Sequence, residues 1–156
     1  MSWNTTILTG TGIVGVDGFC EAIRSSDMQI GDWAKDILGQ PAFSVVDKEI
    51  KIDLSIMSLA ELGFGSGAHY NQICESLGRF SLKKCPAEIG PQMRLQYPNQ
   101  PKGEWLIVFM NPIIASDDNL RIFHVGHNDR GRWLVGDLCN LDHIWGGRNH
   151  FVFAME

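Results

Sequence analysis

The chain has 156 residues, 44% of them hydrophobic and 20% charged, and a formal net charge of −5. A chain of this length forms one globular domain that buries about 68–70% of its unfolded surface, and five Trp with eight Phe supply a core, so intrinsic disorder is excluded. No basic run exceeds Lys83-Lys84 and no stretch approaches the roughly 18–20 apolar residues of a membrane span, which argues against nucleic-acid and membrane partners.

In chain order, Thr5 to Gly10 reads as a short strand entering a glycine-rich turn, and Asp17 caps a helix with Phe19, Ala22 and Ile23 on its apolar side. Ile30, Trp33, Ala34, Ile37 and Leu38 follow at helical spacing and predict a second helix with those five on the core stripe, stopped by Gly39 and Pro41. Ile50, Ile52, Leu54 and Ile56 alternate with polar residues over 49–59, the period of a half-buried strand. His69 to Gly78 predicts a third helix with Tyr70, Ile73, Cys74 and Leu77 on one face. Met93, Leu95 and Tyr97 alternate with Gln92, Arg94 and Gln96, which predicts a strand paired with the apolar run Trp105 to Met110. Arg121–Val125 and Arg132–Val135 flank the turn-rich Gly126 to Gly131 as a second hairpin, and His150 to Ala154 is a last strand. The expectation is a single α+β domain over residues 1–156, helices mainly in the first half and a largely antiparallel sheet mainly from the second.

The segment Cys85-Pro-Ala-Glu-Ile-Gly-Pro-Gln-Met-Arg-Leu-Gln-Tyr97 runs on as Pro98-Asn-Gln-Pro-Lys-Gly-Glu-Trp-Leu-Ile-Val-Phe-Met-Asn-Pro112. It resembles an uncharacterised set of short bacterial proteins that share a CPAE-GPQ-RLQY…QP-GEWL core followed by a Trp- and Phe-rich tail. The resemblance extends from about Asp27 to Phe153 and implies a shared fold, with no activity to carry over.

Five groups of residues bear on chemistry. Gly10, Gly12 and Gly15 spell the dinucleotide fingerprint after a strand, but Gly18 interrupts the helix and no acidic residue ends a second strand, so an ordinary glycine turn is preferred. The same holds for Gly63, Gly65 and Gly67, whose alternative is an anion nest. His124, His127, Cys139 and His143, with Asp129, Asp137 and His150 nearby, offer the donors a divalent transition metal takes, although the spacing matches no established site. Gln92, Arg94 and Gln96 project together on a strand face, with Gln100 and Glu104 in the following loop and partner strand, a set suited to a carboxylate or phosphate; the preferred reading is a plain cross-strand pairing of Arg94 with Glu104 or Glu88. Trp145, before Gly146 and Gly147, reads as an exposed loop aromatic of the kind that anchors a partner.

Cys20, Cys74, Cys85 and Cys139 show no CxxC spacing, and Met1-Ser-Trp-Asn-Thr lacks the basic and apolar regions of a secretion signal, so free thiols in a cytoplasmic protein are expected. Each reads first as a buried structural thiol that packs as a small hydrophobe, and Cys85 before Pro86 is the alternative candidate for an exposed nucleophile. No cofactor is expected. Together these features favour a small soluble binding or regulatory protein acting through a sheet face and loop surface on a small ligand or protein partner. The alternative is a metal-assisted or Cys-dependent hydrolase or transferase built on the His-rich C-terminal third. A homo-oligomeric contact through Trp145 or a C-terminal edge strand stays open.

Overall fold

A computed structural model of the chain describes residues 2–156. Its elements run β1 (Trp3–Thr9), α1 (Gly15–Ser25), β2 (Gln29–Ile30), α2 (Asp32–Leu38), β3 (Ile50–Ser58), β4 (Ala68–His69), α3 (Tyr70–Ser76) closed by a 3-10 turn at Leu77–Phe80, and β5 (Leu82–Lys83). They continue with α4 (Ile89–Gln96), β6 (Trp105–Val108), β7 (Ile113–Ile114), β8 (Leu120–Asn128), β9 (Gly131–Leu138), β10 (Ile144–Trp145) and β11 (His150–Met155). Among the described residues no helix is long and apolar enough to cross a membrane.

One nine-stranded sheet is ordered β1-β3-β11-β6-β8-β9-β2, with β5 added to β11 and β7 to β8. The single-domain α+β class therefore holds, but two expectations about its layout do not. The sheet is mixed, because β11 runs parallel to β6 and β2 parallel to β9. It also draws β1, β2 and β3 from the first half of the chain, while α4 carries the helices past its midpoint. The apolar run at β6 does lie centrally, between β11 and β8, and β8 and β9 form the expected hairpin. Its turn is tighter than the sequence implied: Gly126, His127 and Asn128 stay in β8, and Asn128 pairs with Gly131 across two residues.

The main correction is at 92–97, where Gln92 to Gln96 are helix and not strand and Tyr97 caps the helix end. Ile89 and Met93 are one helical turn apart and both buried. Gln92 Nε2 donates to Glu88 at 2.9 Å and Gln96 Nε2 to Gln92 Oε1 at 2.9 Å, a ladder of i, i+4 bonds that only a helix permits. Gly90 is required because a Cβ there would stand 2.4 Å from the Phe123 ring, so α4 lies directly on β8. A hydrophobic pattern missed this helix because its buried positions include Gln92 and Arg94.

Strand alternation gives the sheet two unlike faces. On one, which carries Leu106, Val108, Phe123 and Val125, α4 packs against β8 and β9 and α2 against β9. On the other, Phe109, Phe151 and Phe153 pack with Tyr70 of α3 and with Trp145, whose short β10 pairs with β4. Trp33 departs from its expected core stripe. It is 39% exposed and carries the Arg121 guanidinium 3.8 Å above its ring, while Ala34, Ile37 and Leu38 are buried as expected.

Candidate functional site

The helix-covered face holds the polar residues that the sequence brought forward as a ligand site. Arg94 is fully buried on α4. Its Nη1 donates to Gln100 Oε1 (2.7 Å) and to the carbonyls of Gly126 (3.0 Å) and Trp133 (3.2 Å), and its Nη2 donates to the Tyr97 carbonyl (2.8 Å). Every one of these acceptors is neutral. Burial, with Arg132 nearby, lowers the guanidinium to about 10, so it is still charged at neutral pH. Gln100 completes the lattice by donating to the Val125 carbonyl (3.0 Å) and to Glu104 (3.3 Å). Gln96 pairs with both backbone groups of Leu8 on the edge strand β1, accepting at 2.9 Å and donating at 2.8 Å.

Arg94, Gln100 and Glu104 are thus brought together, but as a lattice that ties α4 and the 97–104 loop to β8 and β9. The expected strand face with Arg94 and Gln96 projecting side by side does not form, because helical geometry turns Arg94 inward and Gln96 toward β1. Glu88 works similarly: its carboxylate accepts from the Gly10 N–H (2.8 Å), the Val46 N–H (3.1 Å) and Gln92 Nε2 (2.9 Å). The first glycine of the dinucleotide-like spelling therefore meets a carboxylate where a phosphate would have to sit.

Cys85 lines a cleft of about 510 Å³ beside Thr9, Val46, Ile50 and Glu88. It is buried, its Sγ lies 3.4 Å from the Val152 carbonyl, and desolvation pushes the thiol well above its ordinary range. Cys85 is therefore the buried structural thiol that the sequence favours, and the alternative of an exposed nucleophile does not hold. All four cysteines are free.

The four metal candidates do not converge; among the described residues no group of three or more His, Cys, Asp or Glu is placed to hold a metal ion. His127 lies on the helix-covered face, where its Nδ1 is 2.8 Å from the Gln100 carbonyl; a carbonyl only accepts, so that nitrogen bears the proton. Cys139 is buried, which raises its thiol to about 12. His124 and His143, in contrast, both line a cleft of about 510 Å³ on the opposite face of the sheet.

That cleft has a floor of strand residues and a wall from the loop around β10. Ile107, His124 and Val135 sit side by side on β6, β8 and β9, with Asp137 and Trp105 on the same face. His143, Trp145 and Asn149 close it from the loop. Trp145 is not the exposed loop residue expected from its glycine neighbours. It is 5% exposed, meets His143 edge-on at 4.8 Å and Phe151 at 5.6 Å, and pairs through β10 with Ala68. The glycines serve backbone contact: a Cβ at Gly147 would stand 2.5 Å from the Gly65 carbonyl, and one at Gly67 would stand 2.7 Å from the Trp145 carbonyl. The Gly63 and Gly67 N–H groups bond to the Ala60 and Phe64 carbonyls, so these glycines make a turn.

His124 is the unusual group of the cleft. Burial lowers its imidazole to about 4, partly opposed by Asp137, so the ring is uncharged at neutral pH. Its Nδ1 is 3.8 Å from Asp137 Oδ2, and at neutral pH that contact is not an ion pair. Its Nε2 is buried and has no protein hydrogen-bond partner among the described residues. Such a group ordinarily costs about 1–3 kcal/mol.

Sequence reading missed Trp105 and Asn149 as cleft residues. Trp105 was absorbed into an apolar strand run, and Asn149 belongs to no recognisable motif. Trp105 lies against Gly126, where a Cβ would fall 2.0 Å from the indole, and it also lines a neighbouring cleft of about 370 Å³ with Trp3, Glu104, Arg148, Asn149 and His150. The pairing of a large aromatic with a glycine on the adjacent strand was the available signal, but it required the strand register.

Scanned against protein-family models, curated proteins and solved structures, the chain matches none.

Proposed function

We propose that this chain is a small binding protein whose ligand occupies the cleft between the open sheet face and the β10 loop. The observation that carries this reading is His124: a largely buried, uncharged imidazole whose Nε2 has no protein partner, in a cleft walled by Trp105 and Trp145. Binding sites combine apolar and aromatic walls with a few convergent polar groups, and this cleft has that composition. Residues from a sheet face and a loop supply it together, on the side of the sheet opposite the Arg94 segment.

Catalysis through cysteine is disfavoured by the buried, protonated Cys85 and Cys139. Arg94 and its glutamines are assigned to holding the fold, since the guanidinium's four hydrogen bonds all go to internal acceptors.

A native mass spectrum of untagged protein tests the proposal when it is paired with Val135→Trp, a variant that fills the cleft floor. Wild type is expected to retain a small-molecule mass excess, or to gain thermal stability from a compound in a metabolite screen, and Val135→Trp is expected to lose either response. Responses that persist in the filled variant would place the ligand elsewhere and defeat the proposal.

A further inference from the structure

Trp105 is the first residue of β6, and it is 37% exposed while the next three residues of the strand are buried. Its indole lies flat against the Gly126 backbone on the neighbouring strand, an approach that a Cβ would block. One ring face is therefore spent on the sheet, and the exposed remainder borders both the 510 Å³ cleft and the 370 Å³ cleft. Around it stand Asp137 and His143 on one side, Glu104 and Arg148 on the other, and Asn149 between them. Arg148 has no hydrogen bond or ion pair with protein among the described residues, so its donors are unspent.

Resting on the proposed binding cleft, we infer that the open face of Trp105 is a stacking platform for a neutral oligosaccharide whose flanking units extend into the two clefts. The face of an indole carries negative potential and favours the weakly positive C–H face of a sugar ring. Sugar hydroxyls both donate and accept, which suits a rim that mixes carboxylates, an amide, an imidazole and a guanidinium. Two adjoining clefts that share Trp105 and Asn149 call for a ligand longer than one ring.

The same residues disfavour the competing classes. A nucleic-acid strand requires a run of cations along its phosphates, and here Asp137 and Glu104 flank a single Arg148. An isolated base is gripped on both faces, but the second indole, Trp145, is met edge-on by His143 and offers no facing surface.

The test is isothermal titration, with tryptophan fluorescence in parallel, of the full chain against neutral gluco-, xylo- and N-acetylglucosamine oligosaccharides of one to four units. Adenosine serves as a heteroaromatic control. At least one series is expected to bind, with the trimer or tetramer tighter than the monomer by about ten-fold or more. Trp105→Ala is expected to abolish that binding, Trp105→Phe to retain part of it, and Asp137→Asn and Arg148→Ala each to weaken it several-fold at unchanged melting temperature. These last two exposed positions keep the test valid if Trp105→Ala fails to fold. Absence of binding by every saccharide overturns the inference, as does saccharide binding indifferent to all four substitutions. Adenosine binding without saccharide binding, lost in Val135→Trp, overturns it while leaving the cleft as a binding site.

Discussion

The two faces of the sheet use polar residues in opposite ways. Beneath α4, Arg94, Gln96, Gln100 and Glu88 direct their hydrogen bonds to backbone groups and to one another. Around the opposite cleft, His124 leaves Nε2 without a protein partner, Trp105 presents an open ring, and Arg148 keeps its donors unspent. A polar group whose hydrogen bonds all go to internal partners contributes to one fold, even where, as at Arg94 Nε, one buried donor stays without a partner; a polar group left incomplete beside a cleft is available to something else. By this criterion the segment from Glu88 to Gln100 mainly holds the structure together.

The contrast can be broken most forcefully at Arg94. Arg94→Ala removes a buried charge and strands the carbonyls of Tyr97, Gly126 and Trp133, and the expected loss is about 3–5 kcal/mol in urea unfolding. Gly90→Ala comes next: its methyl group would overlap the Phe123 ring at the tightest contact between α4 and the sheet, for about 1–3 kcal/mol in the same measurement. Gln96→Ala, which frees both backbone groups of Leu8 at an edge strand, is expected to cost about 1–2 kcal/mol. Across the sheet, Asp137→Asn is expected to stay within about 0.5 kcal/mol of wild type, because its side chain is largely exposed. A large loss there would erase the distinction between the faces.

His124 sharpens the contrast through pH. Its folded-state imidazole is depressed to about 4, so between the ordinary histidine range near 6.5 and about 4 the unfolded chain binds a proton that the folded chain refuses. Stability from this site is therefore lost as pH falls through that window, and it is intact above it. His124→Gln removes the titrating group, so the difference between wild-type and variant unfolding free energies should change between pH 7 and pH 4. Parallel curves would mean that the imidazole is not shielded from solvent.

How much of this was legible from sequence depended on whether apolar residues marked the burial. β3, α3, β6, β8 and β11 were visible because their core positions are Ile, Leu, Val, Phe and Tyr at the period of their structure. Residues 92–97 misled because Met93, Leu95 and Tyr97 alternate by chance, while the side chains that settle the helix are Gln92, Arg94 and Gln96, and patterning scores those as solvent-facing. Trp145 misled for a related reason: glycines beside an aromatic suggest an open loop, but here Gly147 lets the loop backbone close onto Gly65, and Gly67 lets its own backbone close onto the Trp145 carbonyl. Of the four histidine and cysteine residues proposed as metal ligands, His124 and His143 line one cleft. His127 and Cys139 were separated from them by strand alternation and burial, which spacing alone does not reveal.

The most direct test of the division between the faces is equilibrium urea unfolding of Arg94→Lys. This variant keeps the charge but replaces a planar fork, bonded to four neutral acceptors, with a single ammonium that cannot reach them all. A loss of about 2 kcal/mol or more is predicted, since several buried carbonyls would lose their donor. Wild-type stability in Arg94→Lys would contradict the account, and would return Arg94 to the candidates for ligand binding.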